Sequence, residues 1–217
     1  MINRVKNHLK NPRNRINIIL KMSISASLAS LGIVLSTIVV FVPNMEFISV
    51  TIFLVSILFG VYYGLMVAVS VSVVYEFIII AIIGSAGYLI FFKLICYVSL
   101  AVVTGLMRKI FLRLSYWELG VFGSFFAIIY DIITTIGYQI VVIRSDFVFQ
   151  YLLVLLGSGI IFTIAHVVSN FVLFSFTKTM INWIYSAFKA RGIKQLMIPS
   201  IYDEETITSV VSEGGKT

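Results

Sequence analysis

"LGVFGSFFAIIYDIITTIGYQIVVI", residues 119–143, decides the class of fold. At the rise of an α-helix it is long enough to cross the hydrocarbon core of a bilayer, which takes roughly 20 apolar residues. It carries one charged side chain, Asp131, near its middle. A carboxylate at that depth is costly and tends to face a bundle interior or a cavity rather than lipid. The stretch is therefore a membrane helix with a polar reason to exist.

The rest of the chain agrees. Of 217 residues, 60 % are hydrophobic and 12 % charged, with a mean hydropathy of +1.07. Soluble domains are about half apolar and about a quarter charged. A chain of this size cannot bury so much apolar side chain in water. The reading is an all-α membrane protein with six transmembrane helices over about 22–42, 47–59 (short, or running to 63), 64–83, 88–107, 117–143 and 150–177. Three segments follow: a basic N-terminal segment 1–21, a six-helix domain 22–188 and a polar tail 189–217. The stretch Met22–Val42 is longer than the ~7–15 residues of a signal-peptide core, so it reads as the first span. Pro43-Asn44, the Gly60–Gly64 bracket, "GSAG" (84–87), "RKIFLRLSY" (108–116) and "RSDF" (144–147) mark the breaks.

Charge sets the orientation. Fourteen of the 16 basic residues fall before span one, between spans four and five, or after span six; the others are Lys93 and Arg144. Lysine and arginine collect on the cytoplasmic side, so both termini are expected to be cytoplasmic and the membrane to be the cell membrane. The net charge of +7 is a topology signal, and no nucleic-acid partner is expected. The single cysteine, Cys96, permits no internal disulfide or cysteine cluster. The terminal "EGGKT" lacks the first glycine of a phosphate loop and any following helix, so no nucleotide site is expected. Neither a metalloprotease helix nor a nucleophile elbow is present. No enzyme activity, catalytic residue, cofactor or metal is expected.

Four ionisable groups lie within spans: Glu76, Lys93, Asp131 and His166. At ~1.5 Å per residue, Glu76 and Lys93 lie roughly 10 and 8 Å below the outer face and can pair. Asp131 and His166 are deeper and can also meet. Asp131, Thr134, Thr135 and Tyr138 share a helix face by their spacing, as do His166 and Asn170. The pattern implies an outward-opening polar seam among spans three to six. Such residues bind a solute or tie helices together, and spacing alone does not separate the two. At the start of span one, "SISASLASLG" (23–32) carries small residues; Ser25, Ala29, Gly32 and Ser36 form a stripe. Such a stripe allows close helix packing, internal or with a partner.

Together, the six spans with both ends inside, the small-residue motif, "FVPNMEFIS" (41–49) and "YDIIT…HVVSN" (130–170) resemble the substrate-binding S component of energy-coupling-factor (ECF) vitamin transporters. The resemblance covers about residues 15–188. It implies a subunit that captures a micronutrient near its outer face. It implies partners: an ECF coupling transmembrane protein and two cytoplasmic ATPases. The family's A-x-x-x-A motif falls on Ser25 with Ala29, or on Ala26 with Ser30, serine replacing one alanine; these four are the expected docking residues. Glu46 would lie in the outer loop that covers the pocket, and the proline-then-acid arrangement looks most like the cobalamin-type S components. The expected substrate-binding residues are Glu46, Glu76, Lys93, Asp131, Thr135, Tyr138, His166 and Asn170. The alternatives are a stand-alone ion-coupled secondary transporter and a membrane scaffold.

Overall fold

The computed structural model describes residues 12–42, 45, 47–84, 87–143 and 149–191. The expected loop residue Glu46, the breaks at Pro43-Asn44 and Arg144–Phe147, and the tail beyond Arg191 lie outside them. The described residues form helices α1 (Pro12–Ile38), α2 (Ile48–Phe59), α3 (Val61–Ile83), α4 (Ile90–Leu106), α5 (Arg108–Arg113), α6 (Tyr116–Tyr138), α7 (Phe149–Ser158) and α8 (Ile160–Ala190). A π-helical turn, Gln139–Ile143, extends α6. Four helices are long and apolar enough to cross a membrane: Ile16–Ile38 of α1, all of α3, Tyr116–Val141, and all of α8. The chain is a helical, multi-pass membrane protein.

The second span is as short as expected over 47–59, and the fourth runs three residues shorter than the expected 88–107. With 12 residues, α2 reaches only about 18 Å, and the 17 residues of α4 about 25 Å. All twelve side chains of α2 are buried. A helix that is apolar on every face suits a protein interior or a membrane, and the burial of every side chain places α2 in the interior. The sixth span is also divided. Gly159 separates α7 from α8, and α8 continues to Ala190, well past the expected end.

The helices α1, α2, α3, α4, α6 and α8 run alternately up and down. Lys21 near the start of α1 lies 6.0 Å from the ring of Tyr63 at the start of α3. Gly60, between α2 and α3, lies beside the Arg108 guanidinium of α5. Lys178, late in α8, donates to the carbonyl oxygens of Leu112 and Leu114 at 2.6 and 2.8 Å. These are the carbonyls that the end of α5 leaves without helical partners. One end of the bundle is therefore basic. Helix α6 starts there as well, where Ser115 and Glu118 form a capping box.

No loop separates α2 from α3. The chain reverses at Gly60, whose φ of 92° and ψ of −179° suit glycine almost alone. The interior is aromatic around Phe53 of α2, which meets Phe111, Phe122 and Phe174 with ring centroids 5.0–5.7 Å apart. These three residues sit on α5, α6 and α8, so α2 is the hub on which the other helices pack.

Candidate functional site

The most extensive helix contact, α6 with α8, is set by small residues. A Cβ on Gly123 would come within 2.5 Å of the Phe174 ring, so these helices approach closely because glycine is there. Van der Waals packing of this kind drives helix association in membranes. The contact also fixes the register. Asp131 lies eight residues further along α6 and His166 eight residues back along antiparallel α8. The two side chains accordingly meet: His166 Nδ1 lies 2.8 Å from Asp131 Oδ1, within hydrogen-bonding distance.

A second pair joins α3 to α4. Lys93 Nζ donates to Glu76 Oε2 at 2.8 Å. Glycine again sets the approach, for Gly105 of α4 lies against the backbone of Val61 at the start of α3. A third glycine contact brings the two pairs together. A Cβ on Gly137 of α6 would meet the ring of Phe92, the neighbour of Lys93. Below the pairs, the hydroxyls of Tyr97 and Tyr130 lie 3.2 Å apart, and the Tyr130 ring stands edge-on to His166 at 5.5 Å.

The pairs flank a cavity of about 280 Å³ at the end of the bundle opposite the basic one. Lys93, Asp131, Thr134 and His166 line it, with Tyr75 and Tyr130. Its apolar wall comes from Val40, Ile79, Ile83 and Leu89. Each acid uses one oxygen on its partner. The other oxygens, Glu76 Oε1 and Asp131 Oδ2, are buried and have no hydrogen-bond partner among the described residues. A buried acceptor without a partner costs about 1–3 kcal/mol, more when charged.

The expected site residues divide. Glu76, Lys93, Asp131 and His166 come together as two pairs around one cavity. Asn170 does not line it: the side chain is fully buried, accepts from Ser49 Oγ at 3.4 Å and donates to the carbonyl oxygen of His166 at 3.1 Å. Its work is tying α8 to α2. Thr135 is half-buried and Tyr138 exposed, and neither lines the cavity. In their place come Thr134, Tyr75 and Tyr130. Each tyrosine directly precedes an acid, in "YE" (75–76) and "YD" (130–131), and each is a mid-helix tyrosine away from the interfacial belt where that residue usually collects. That signal was in the sequence.

The small-residue stripe also divides. Gly32 packs on Thr51 of α2, and buried Ser36 accepts from the backbone N–H of Phe47 at 2.7 Å. These positions serve the protein's own packing. Nearer the basic end, Ser25, Ala26, Ala29 and Ser30 line a groove of about 380 Å³ with Tyr63, Met66 and Ser70 of α3. There Ala26 and Ser30 are exposed, Ala29 is half-buried and Ser25 is buried. Cys96 is buried and lines an apolar cavity of about 230 Å³ between α4 and α6.

By fold and site, the molecule is a polytopic helical membrane protein with a charge-paired cavity inside its bundle. No family model, curated protein or solved structure matches the chain.

Proposed function

We propose that this chain is the solute-capturing membrane subunit of an ECF-type importer, crossing the cell membrane six times with both ends in the cytoplasm. The observation that carries this reading is the polar cavity at the end of the bundle opposite the basic cluster. Under the rule that lysine and arginine mark the cytoplasmic side, that end faces outward. A solute enters there and meets groups that are rare inside membranes and typical of substrate pathways. The alternation of α1, α2, α3, α4, α6 and α8 supports six passes, with α2 short because it is wrapped by protein rather than lipid.

The docking surface for the coupling transmembrane protein is the α1–α3 groove around Ala26, Ala29 and Ser30. It lies towards the cytoplasmic end and presents small side chains, over which a partner helix can approach closely. Two cytoplasmic ATPases complete the importer and supply the energy. The cargo is a micronutrient.

The test is affinity purification of the full chain from its native membrane in mild detergent. A coupling membrane protein and two ATPases are expected in the eluate. Ala26→Trp and Ala29→Trp are expected to abolish their recovery without lowering solute capture. Uptake into liposomes by the chain alone, driven by a proton gradient, overturns the reading. It would favour the second one, an ion-coupled secondary transporter, which the hydrogen-bonded pair of Asp131 and His166 recommends.

A further inference from the structure

We propose that the basic end of the bundle seats an anionic phospholipid, its phosphate between Lys21 of α1 and Arg108 of α5 and one acyl chain along the α1–α3 groove. This goes beyond the importer reading: it names what fills the groove in the chain by itself, whatever the cargo.

Two cations set the headgroup seat. Lys21 Nζ stands 6.0 Å from the centre of the Tyr63 ring. One turn before Tyr63, at Gly60, an added Cβ would lie 3.4 Å from Arg108 Nη1. The turn between α2 and α3 therefore brings the ammonium and the guanidinium together, near enough to repel each other. Both residues are half-buried. Neither makes a hydrogen bond or an ion pair among the described residues. Of the described carboxylates, Glu76 and Asp131 are paired at the far end, and Glu118 accepts from Ser115 at 2.7 Å. Like charges held together away from bulk water are costly until an anion joins them. A phosphate answers both: the guanidinium forks onto two oxygens, and the ammonium meets another as a point charge.

The surroundings make the phosphate a lipid's. At the same end Tyr62, Tyr116 and Trp117 are exposed. Tyrosine and tryptophan collect at headgroup level, and basic pockets between membrane helices at that level bind phospholipid headgroups. The seat also runs on into an apolar groove. Met22, next to Lys21, and Tyr63 line one end of the 380 Å³ groove, which continues to Ile33 on α1 and Val74 on α3. On each helix that is eleven residue steps, or about 17 Å. One leaflet of hydrocarbon is about 15 Å deep, so the groove has the length of an acyl chain in its leaflet. A free phosphate or an acidic protein loop answers the cations and leaves the groove open, whereas a phospholipid fills both. A coupling protein that docks over Ala26 and Ala29 would displace the acyl chain.

The experiment uses the full chain, washed free of native lipid in mild detergent, and counts bound lipid by mass spectrometry under non-denaturing conditions. Dioleoyl phosphatidylglycerol is expected to bind on the order of twentyfold more tightly than dioleoyl phosphatidylcholine, whose choline cancels the phosphate charge. Inorganic phosphate at the same concentration is expected neither to bind nor to displace it. Lys21→Gln and Arg108→Gln should each cut the preference about fivefold. Lys109→Gln removes the same charge from an exposed neighbour of Arg108 and should leave the preference unchanged. Lys21→Arg keeps a cation at the seat and should keep the preference, which separates a lost charge from a misfolded chain. Ser70→Trp, in the groove on α3, should weaken both lipids alike and leave their ratio as it was. Equal binding of the two lipids by the unaltered chain overturns the proposal, and so does a Lys109→Gln effect as large as that of Arg108→Gln. Tight binding of inorganic phosphate removes the lipid, and a silent Ser70→Trp removes the acyl chain from the groove; either overturns the seat as drawn. None of these outcomes depends on whether a coupling protein co-purifies, so the importer reading stands or falls separately.

Discussion

Helices α1 and α2 are neighbours in the chain, both apolar, and they live in different solvents. Every residue of α2 is buried, the serines and threonine included. In the most apolar 18-residue window of α1, only 11 % of the residues are buried. The difference teaches that apolar composition alone does not say what a helix touches. Lipid and protein interior accept the same side chains, so hydropathy rises equally for a helix at the rim and a helix at the hub. What separates them is packing. A buried side chain in a dense interior leaves a cavity when it is shortened, whereas lipid flows in to fill the gap at the rim.

This contrast can be broken by measurement. The largest effect is expected from Phe53→Ala at the centre of α2, which should destabilise the fold by about 3–5 kcal/mol. The rim comparison is Val34→Ala on exposed α1, expected within about 0.5 kcal/mol. Reversible unfolding in mixed micelles reads both, and similar losses would erase the distinction between hub and rim. Lys93→Met alone leaves the buried Glu76 carboxylate uncompensated and should cost about 3 kcal/mol, most of it recovered when Glu76→Gln is added. A double variant as unstable as the single one would mean that the pair is not a local unit. Next comes Gly60→Ala, which forces a side chain into a backbone region nearly closed to it; a loss of about 1–3 kcal/mol is expected. If this substitution is silent, the direct turn that docks α2 against α3 has another route. The smallest stability effect belongs to Ala26→Trp in the α1–α3 groove, within about 0.5 kcal/mol because the residue is exposed. Its effect should appear only in pull-down of the coupling protein.

Depth was legible in the sequence. The rise of a helix is constant, so counting residues from each break put Glu76 level with Lys93 and Asp131 level with His166, and both pairs form. Azimuth was less legible. The spacing of Asp131, Thr134, Thr135 and Tyr138 allows a shared face, yet only the first two line the cavity. A helix face is about 100° wide or more, and which part of it turns inward depends on neighbours that a single helix does not encode. For the same reason Asn170 was readable as a polar residue near the site but not as the tie to Ser49 on α2.

Segment lengths were legible only where a break was chemically marked. Gly60 carries a clear signal, and the structure uses it as a turn that suits glycine; the capping box of Ser115 and Glu118 came only with the structure. The division of the sixth span at Gly159 was signalled by "GSG" (157–159), but against a run of apolar residues on both sides that signal was weak. The length of α2 was marked on both sides, by Pro43-Asn44 before it and Gly60 after it, and the expected 47–59 differs from Ile48–Phe59 by one residue.

By itself, the sequence determined that the chain is a helical membrane protein, that its basic residues gather at one end, and which charged groups share a depth. These follow from the cost of burying charge and from the fixed rise of the helix, both of which act residue by residue. Tertiary structure alone decided that α2 is the hub, that Gly123, Gly105 and Gly137 set the registers bringing both ion pairs to one cavity, and that one oxygen of each acid is left unpartnered. Those outcomes depend on how closely two surfaces approach, which belongs to pairs of helices and not to any one of them.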